Sequence, residues 1–448
     1  PRHQNNKPAR KNLFRVGFSL APSAVPSAWH FAYDGHLMLT NPQKEAVTMR
    51  VSLSRLSAIL LLLSVTAGTI HAEDKTEEPK KEAPVKVRYR PPEIMLVTSV
   101  DWPAAEEHRE TMAKFLVEKG INCVEAATDV LDVCRRNGLY VRVGARNGDL
   151  GSLLKEIEDL NLKDDPAVFG YFISDRRKSS AFQTWARWVQ LFEERDPNHP
   201  AIFINRALWN EYGLFADVVK PMILDFYHYH WDGKRKPDRY QFYLHLFRDV
   251  AKKHGIPVMR CVGTGVSPPQ LLQTMYVSLA YGVQAFHFWV PWHVGHEKND
   301  KGPVLKDGKI VPTITPWGET IGQFGKDMRA MGPTLLKSTS VATYYTEPFP
   351  QYIGKKIPDE LWFSATGGYL VIGHFQDEKK EDYLLVVNSH VGEEQKAELT
   401  FKAPVSGVQW MDKKTGKWKP APGKPLVTSI PIKASDGELL WIQKKKTP

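Results

Sequence analysis

Two aspartates stand where carboxylate chemistry could be done: Asp175 closes the apolar run 168–174, and Asp225 lies inside the run 222–227. Hydrolysis of a glycosidic bond needs two carboxyl groups roughly 5 to 10 Å apart. A protonated one donates to the leaving oxygen, and an ionised one activates water or attacks the sugar carbon. Arg176 and Arg177 directly follow Asp175, and adjacent cations favour an ionised carboxylate, which counts against Asp175 as the acid. Each aspartate could instead pair with a neighbouring arginine or cap a helix. Glu125, at the end of the run 121–126, is the reserve carboxylate.

Around these lie residues suited to holding a polyhydroxylated ligand. Trp289 and Trp292 lie beside Pro291 at the exit of the run 283–290, and exposed indoles form flat stacking surfaces. Phe286 and Phe288, which alternate along that run, could equally be plain core. Asp101, Asn205, Tyr227, His228 and His293 offer hydroxyl-binding groups, and Arg206 and Arg260 could hold a charged substituent. Arg142, Arg146, Arg176 and Arg177 extend that basic set, although several could close ion pairs with Asp101, Glu125 and Asp175. His228 and His230, like His293 and His296, are spaced too loosely to define a metal geometry, so no metal site is expected. No GxGxxG, P-loop, GxSxG or HExxH pattern occurs, and no cofactor is expected. The three cysteines, Cys123, Cys134 and Cys261, contain no CxxC and read as buried small hydrophobes.

Those residues matter only if the fold gathers them. Apolar runs at 95–102, 121–126, 139–144, 168–174, 201–205, 222–227, 256–262 and 283–290 predict strands. Amphipathic segments near 104–119, 129–137, 149–159, 181–194, 206–215, 238–254 and 268–281 alternate with them, and a last helix is predicted near 316–335. In the segment 181–197, Phe182, Trp185, Trp188 or Val189, and Phe192 share one face, with Arg, Gln and Glu on the other. Gly120, Gly138 and Gly255 read as helix stops before strands. Eight such units in about 240 residues predict an α/β fold, a (β/α)8 TIM barrel over 92–336. The loops after its strands would converge on one mouth. From 337 to 448 the helical period disappears, and short β-like runs with Gly-containing turns predict a small all-β antiparallel sandwich.

The N-terminal part reads differently. Met49, Arg50 and Arg55 precede the apolar run 58–65, and small residues lead to Ala72, the pattern of a secretory signal peptide over 49–72. Residues 1–48 read as upstream read-through and 73–91 as a charged linker, so export to the bacterial cell envelope, secreted or periplasmic, is expected, with no membrane span after cleavage. The net charge of +10 is concentrated there: the first 72 residues carry +6, leaving too little elsewhere for a nucleic-acid surface.

Several phrases then resemble a known family. In order they are Phe169-Gly-Tyr-Phe-Ile-Ser-Asp175, Arg195-Asp-Pro-Asn-His-Pro200, Leu224-Asp-Phe-Tyr-His-Tyr229, the run from Ser278 to Trp289, and Ala330-Met-Gly-Pro-Thr-Leu-Leu336. Together they resemble bacterial glycoside-hydrolase-type barrels of the β-galactosidase-like superfamily. That resemblance implies an exported carbohydrate-active barrel with a C-terminal β-sandwich. It also exposes a departure. Relatives commonly read Asp-Glu-Pro where this chain has Asp175-Arg176-Arg177, so Arg176 takes the place of the acid/base Glu. The stretch Met259-Arg-Cys-Val-Gly-Thr264 lacks the nucleophilic Glu that retaining members keep at the end of strand seven. The leading expectation is hydrolysis of a polysaccharide, acidic or sulfated among the options, with Asp225 as nucleophile or base, Asp175 as acid and Glu125 in reserve. A glycan-binding relative without turnover is the next reading, and an envelope interaction protein the third.

Overall fold

The computed structural model describes residues 87–444, apart from 101, 146–147, 176–178, 206–210, 228–236, 263–265, 289–293, 296–304, 307–308, 348–354, 403–404 and 425. The expected signal peptide, most of the linker and residues 1–48 lie outside the described residues.

Eight parallel strands close into a barrel in sequence order. They are β1 (Met95–Ser99), β2 (Cys123–Ala126), β3 (Tyr140–Gly144), β4 (Val168–Asp175), β5 (Ala201–Asn205), β6 (Leu224–Tyr227), β7 (Val258–Val262) and β8 (Val283–Phe288). Closure is made by β1 against β8, with Met95 opposite Ala285 and Val97 opposite His287. Between the strands run α1 (Glu106–Lys119), α2 (Leu131–Asn137), α3 (Leu150–Asp159), α4 (Phe182–Arg195), α5 (Tyr212–Val219), α6 (Pro237–His254) and α7 (Pro268–Ala280). The helix α8 (Pro316–Lys337) follows the barrel.

Local chemistry explains the boundaries. Helix α4 buries Phe182, Trp185, Val189 and Phe192, so Val189 rather than Trp188 completes the face read from the periodicity. The stop glycines Gly120, Gly138 and Gly255 adopt φ of 95°, 70° and 64°, a left-handed conformation that costs glycine little. One helix differs from its expectation. It was expected near 206–215, of which 206–210 lie outside the described residues, and α5 runs Tyr212–Val219, four residues past the expected end. Its position is set by packing rather than propensity, because Phe215 meets Phe182 of α4 at 5.2 Å and Phe203 of β5 at 5.2 Å.

The C-terminal region is a two-sheet all-β sandwich. Its strands are β9 (Ser338–Tyr345), β10 (Lys355–Lys356), β11 (Phe363–Thr366), β12 (Leu370–Asp377), β13 (Asp382–Asn388), β14 (Gln395–Phe401), β15 (Val405–Asp412), β16 (Lys417–Pro420), β17 (Gly423–Lys424), β18 (Val427–Ile432) and β19 (Gly437–Lys444). Seven form one sheet in the order β10-β9-β12-β13-β19-β15-β16, and four form the other, β11-β14-β18-β17. Ile372, Leu384, Val386, Leu399, Ile430 and Leu440 fill the space between the sheets.

The outer face of the seven-stranded sheet packs on α7 and α8. Gly373 comes so close that a Cβ there would lie 2.5 Å from the carbonyl oxygen of Ala280, so only glycine fits. A buried polar cluster spans the same boundary. Lys413 Nζ sits 2.7 Å from Asp436 and 3.1 Å from Glu438 of the sandwich, and 3.9 Å from Asp327 of α8. Tyr276 of α7 donates its hydroxyl to Asp327 at 2.6 Å. Among the described residues, no helix is long and apolar enough to cross a membrane.

Candidate functional site

The barrel interior is layered. Met95, Cys123, Phe169, Ile202, Ile223, Met259 and Ala285 make an apolar floor toward the N-terminal ends of the strands, with Tyr89 and Tyr140 packed against it. Strand alternation then points the residue two positions further along to the same face. On β2, β3, β6 and β8 that residue is Glu125, Arg142, Asp225 and His287. A charged layer therefore lies directly above the apolar one, toward the mouth.

Arg142 organises this layer. Its side chain is fully buried, and its Nη2 donates to Glu125 Oε2 and, at 2.8 Å, to His287 Nε2. Its Nη1 lies 3.8 Å from Asp225 Oδ2, and its guanidinium carbon sits 4.8 Å from the ring centre of Phe172. A guanidinium can only donate, so His287 Nε2 must accept, and the ring proton resides on Nδ1. Burial, followed by the positive charge of Arg142, holds the His287 imidazole well below its usual range and keeps it neutral. One cation thus serves two carboxylates beside a neutral imidazole.

The two carboxylates differ in access. Asp225 is fully enclosed, whereas the Glu125 side chain retains 24% exposure. Glu125 is therefore the more solvent-exposed carboxylate of the pair. On β7, where the resemblance would lead one to look for a nucleophilic glutamate, the described interior holds Cys261, buried with Phe172 packed against it.

The other expected site residues fall into three groups. Arg260 turns away from the interior: its Nη1 bonds Ser278 Oγ at 2.5 Å and the Thr274 carbonyl at 3.4 Å, both on α7. Asp175, Asn205 and Tyr227 are the last residues of β4, β5 and β6, which puts their backbones at the C-terminal rim. Their side chains lie outside the described residues, as do Asp101, Arg206, His228, Trp289, Trp292 and His293. Among the described residues no cluster of His, Cys, Asp and Glu could hold a metal ion. Sequence reasoning missed His287 as a site residue. The available signal was its place between Phe286 and Phe288, a polar residue enclosed by two aromatic ones in a mainly apolar strand.

No protein-family model and no curated protein matches this sequence. Solved structures resemble this chain at low similarity. AmyP in complex with maltose is 9% identical with a TM-score of 0.43, covering 79% of this chain and 98% of that one. The endo-beta-1,4-mannanase from Thermotoga petrophila is 10% identical with a TM-score of 0.40, covering 77% and 98%. A GH30 endoxylanase from Clostridium papyrosolvens C71 is 8% identical with a TM-score of 0.42, covering 81% and 99%. A truncated 3-deoxy-D-arabino-heptulosonate 7-phosphate synthase from Thermotoga maritima, 15% identical with a TM-score of 0.34, is also among them. A fold is shared by many reactions, so substrate and mechanism rest on the residues of this chain.

Proposed function

We propose that this chain is an exported carbohydrate-binding barrel of glycoside-hydrolase type that holds a glycan at its mouth without cleaving it. The carrying observation is the position of Arg142 between Glu125 and Asp225. Asp225 is enclosed and faces the guanidinium, and Glu125 already accepts from it. Neither is free to hand a proton to a leaving oxygen while the other attacks across a sugar ring, which is the division of labour hydrolysis requires. The sequence supports the same reading, because Arg176 and the stretch 259–264 stand where the resemblance implies catalytic glutamates.

In this reading Trp289 and Trp292 stack the sugar rings. Asp101, Asn205, Arg206, Tyr227, His228 and His293 bind hydroxyls or a charged substituent, and Glu125 is the acceptor at the bottom of the cleft. Arg260 is left out because it serves the packing of β7 on α7. Affinity electrophoresis through neutral, uronic and sulfated polysaccharides tests the reading. Retardation in at least one gel, lost in Trp289→Ala at unchanged melting temperature, is the expected result. Equal mobility in all gels, with and without polysaccharide, overturns it.

The partial exposure of Glu125 favours a second reading, a hydrolase in which Glu125 works with Asp175. That reading requires new reducing ends that disappear in both Glu125→Gln and Asp175→Asn.

A further inference from the structure

The buried cluster at the barrel–sandwich boundary holds more negative charge than its one cation balances. On the sandwich side Lys413 meets two carboxylates, Asp436 at 2.7 Å and Glu438 at 3.1 Å. On the barrel side stands Asp327 of α8, 3.9 Å from the same ammonium. All four side chains are only 9–16% exposed. Among the described residues, Lys413 is the one cation paired with any of the three carboxylates. When every group is ionised, one ammonium against two carboxylates leaves the sandwich side negative, and it faces a barrel carboxylate that is negative too.

The other groups bonded to the cluster are neutral donors. Tyr276 of α7 donates its hydroxyl to Asp327 Oδ2 at 2.6 Å, and Gln323 of α8 donates to Oδ1 at 3.0 Å. Trp410 of β15 donates its indole N–H to Glu438 at 2.5 Å, and the Gly437 N–H donates to Asp436 at 2.7 Å. Burial, then the charges of Asp436 and Asp327, hold the Tyr276 hydroxyl well above its usual range, so it stays a donor and adds no charge. Lys419 lies over the Trp410 ring at 4.7 Å but pairs with Asp412, at 3.4 Å. The two sides approach closely: a Cβ on Gly437 would stand 2.7 Å from Tyr276 Cδ1, which leaves no room there for a screening layer of water.

We infer that this boundary is a proton-operated latch, which holds sandwich and barrel together most firmly in mild acid and loosens as the pH rises. A proton on either Asp327 or Glu438 removes the repulsion across the boundary. Its loss sets like charges face to face where little water screens them. Burial raises both carboxyls, so the proton is kept to a higher pH than in the unfolded chain. The stabilisation is therefore complete below the unfolded carboxylate range and is lost as the pH rises through the folded values. Phe324, Met411 and Leu439 belong to the same buried core and do not titrate, so the sandwich loosens without detaching. The latch requires no ligand at the mouth and does not rest on the proposed function.

Scanning calorimetry of the whole protein at pH 4.5 and at pH 8 tests the latch. Barrel and sandwich are expected to melt in one endotherm at pH 4.5 and in two at pH 8. Asp327→Asn removes the barrel charge, and Glu438→Gln balances the sandwich side, so each variant should keep a single endotherm at pH 8. His287, held neutral in the folded barrel, acts in the opposite direction. It does so in wild type and variants alike, so the comparison between them cancels it. Two results overturn the inference: wild type melting in the same number of endotherms at both pH values, or both variants splitting at pH 8 as wild type does. The wild-type comparison decides even where a variant fails to fold.

Discussion

Replacing Arg142 with methionine removes the cation that holds the charged layer together. At 3.8 Å and an effective dielectric near 20, its attraction to Asp225 is worth about 4 kcal/mol. That agrees with the roughly 3–5 kcal/mol lost when one partner of a buried ion pair is removed. For a domain of this size it corresponds to a fall in melting temperature of about 8 to 16 °C. The loss by itself would not identify the pair, because methionine also gives up the bonds to Glu125 and His287. A double-mutant cycle does so. Thermal unfolding of Arg142→Met, Asp225→Asn and the combined variant should show the combined protein more stable than the sum of the two losses by at least about 1 kcal/mol. Additive losses, within about 0.5 kcal/mol, would refute the assignment of Arg142 as the counter-charge of Asp225.

Three further outcomes follow from the same structure. His287 is held neutral in the folded barrel, so its contribution is complete above the unfolded value near 6.5 and is lost as the pH falls below it, at about 1.4 kcal/mol per pH unit. His287→Gln, whose amide oxygen can still accept from Arg142, should flatten the stability profile between pH 6.5 and 5 in melts at stepped pH. At the barrel–sandwich boundary, burial raises the carboxyls of Asp327 and Glu438. Their contribution is present below the unfolded carboxylate range and lost as pH rises through the folded values. Asp327→Asn should therefore reduce the decline in melting temperature from pH 4.5 to 7, and an unchanged slope would contradict it. Gly322 lies so close to α1 that a Cβ would stand 1.9 Å from the carbonyl oxygen of Lys119. Gly322→Ala should destabilise by roughly 1–3 kcal/mol or more, measured by urea unfolding.

The barrel was legible because its parts repeat. Short apolar runs, amphipathic helices and stop glycines recur in order, and glycines such as Gly120 and Gly138 do in the structure what their positions suggested. Parts of the sandwich were harder to read. Phe363–Thr366, Lys417–Pro420 and Val427–Ile432 carry Ser, Thr, Pro or Lys at positions that a strand pattern would fill with large apolar residues. They sit in the smaller sheet or at an edge, where only one face is buried.

The site was half legible. Glu125, Arg142 and Asp225 were visible as residues, but not as partners. Barrel strands are buried on both faces, so the alternation that decides which side chains point inward is hidden beneath continuous hydrophobicity. Arg260 illustrates the cost. It has the same type as Arg142 and a similar place in its strand, yet it faces α7 while Arg142 faces the interior. The residue two positions after a floor residue points inward, and that rule separates the two only once Met259 and Tyr140 are known to line the floor.

The central claim is that Arg142 leaves this barrel able to hold a glycan and unable to cut it. The most direct test is to incubate the purified protein, across pH 4 to 8, with every polysaccharide that retards it in affinity gels, and to follow reducing ends over long times. Retention without new reducing ends at any pH is the predicted result. Reducing ends that accumulate in wild type and vanish in Glu125→Gln would contradict it and make the barrel a hydrolase with relocated carboxylates.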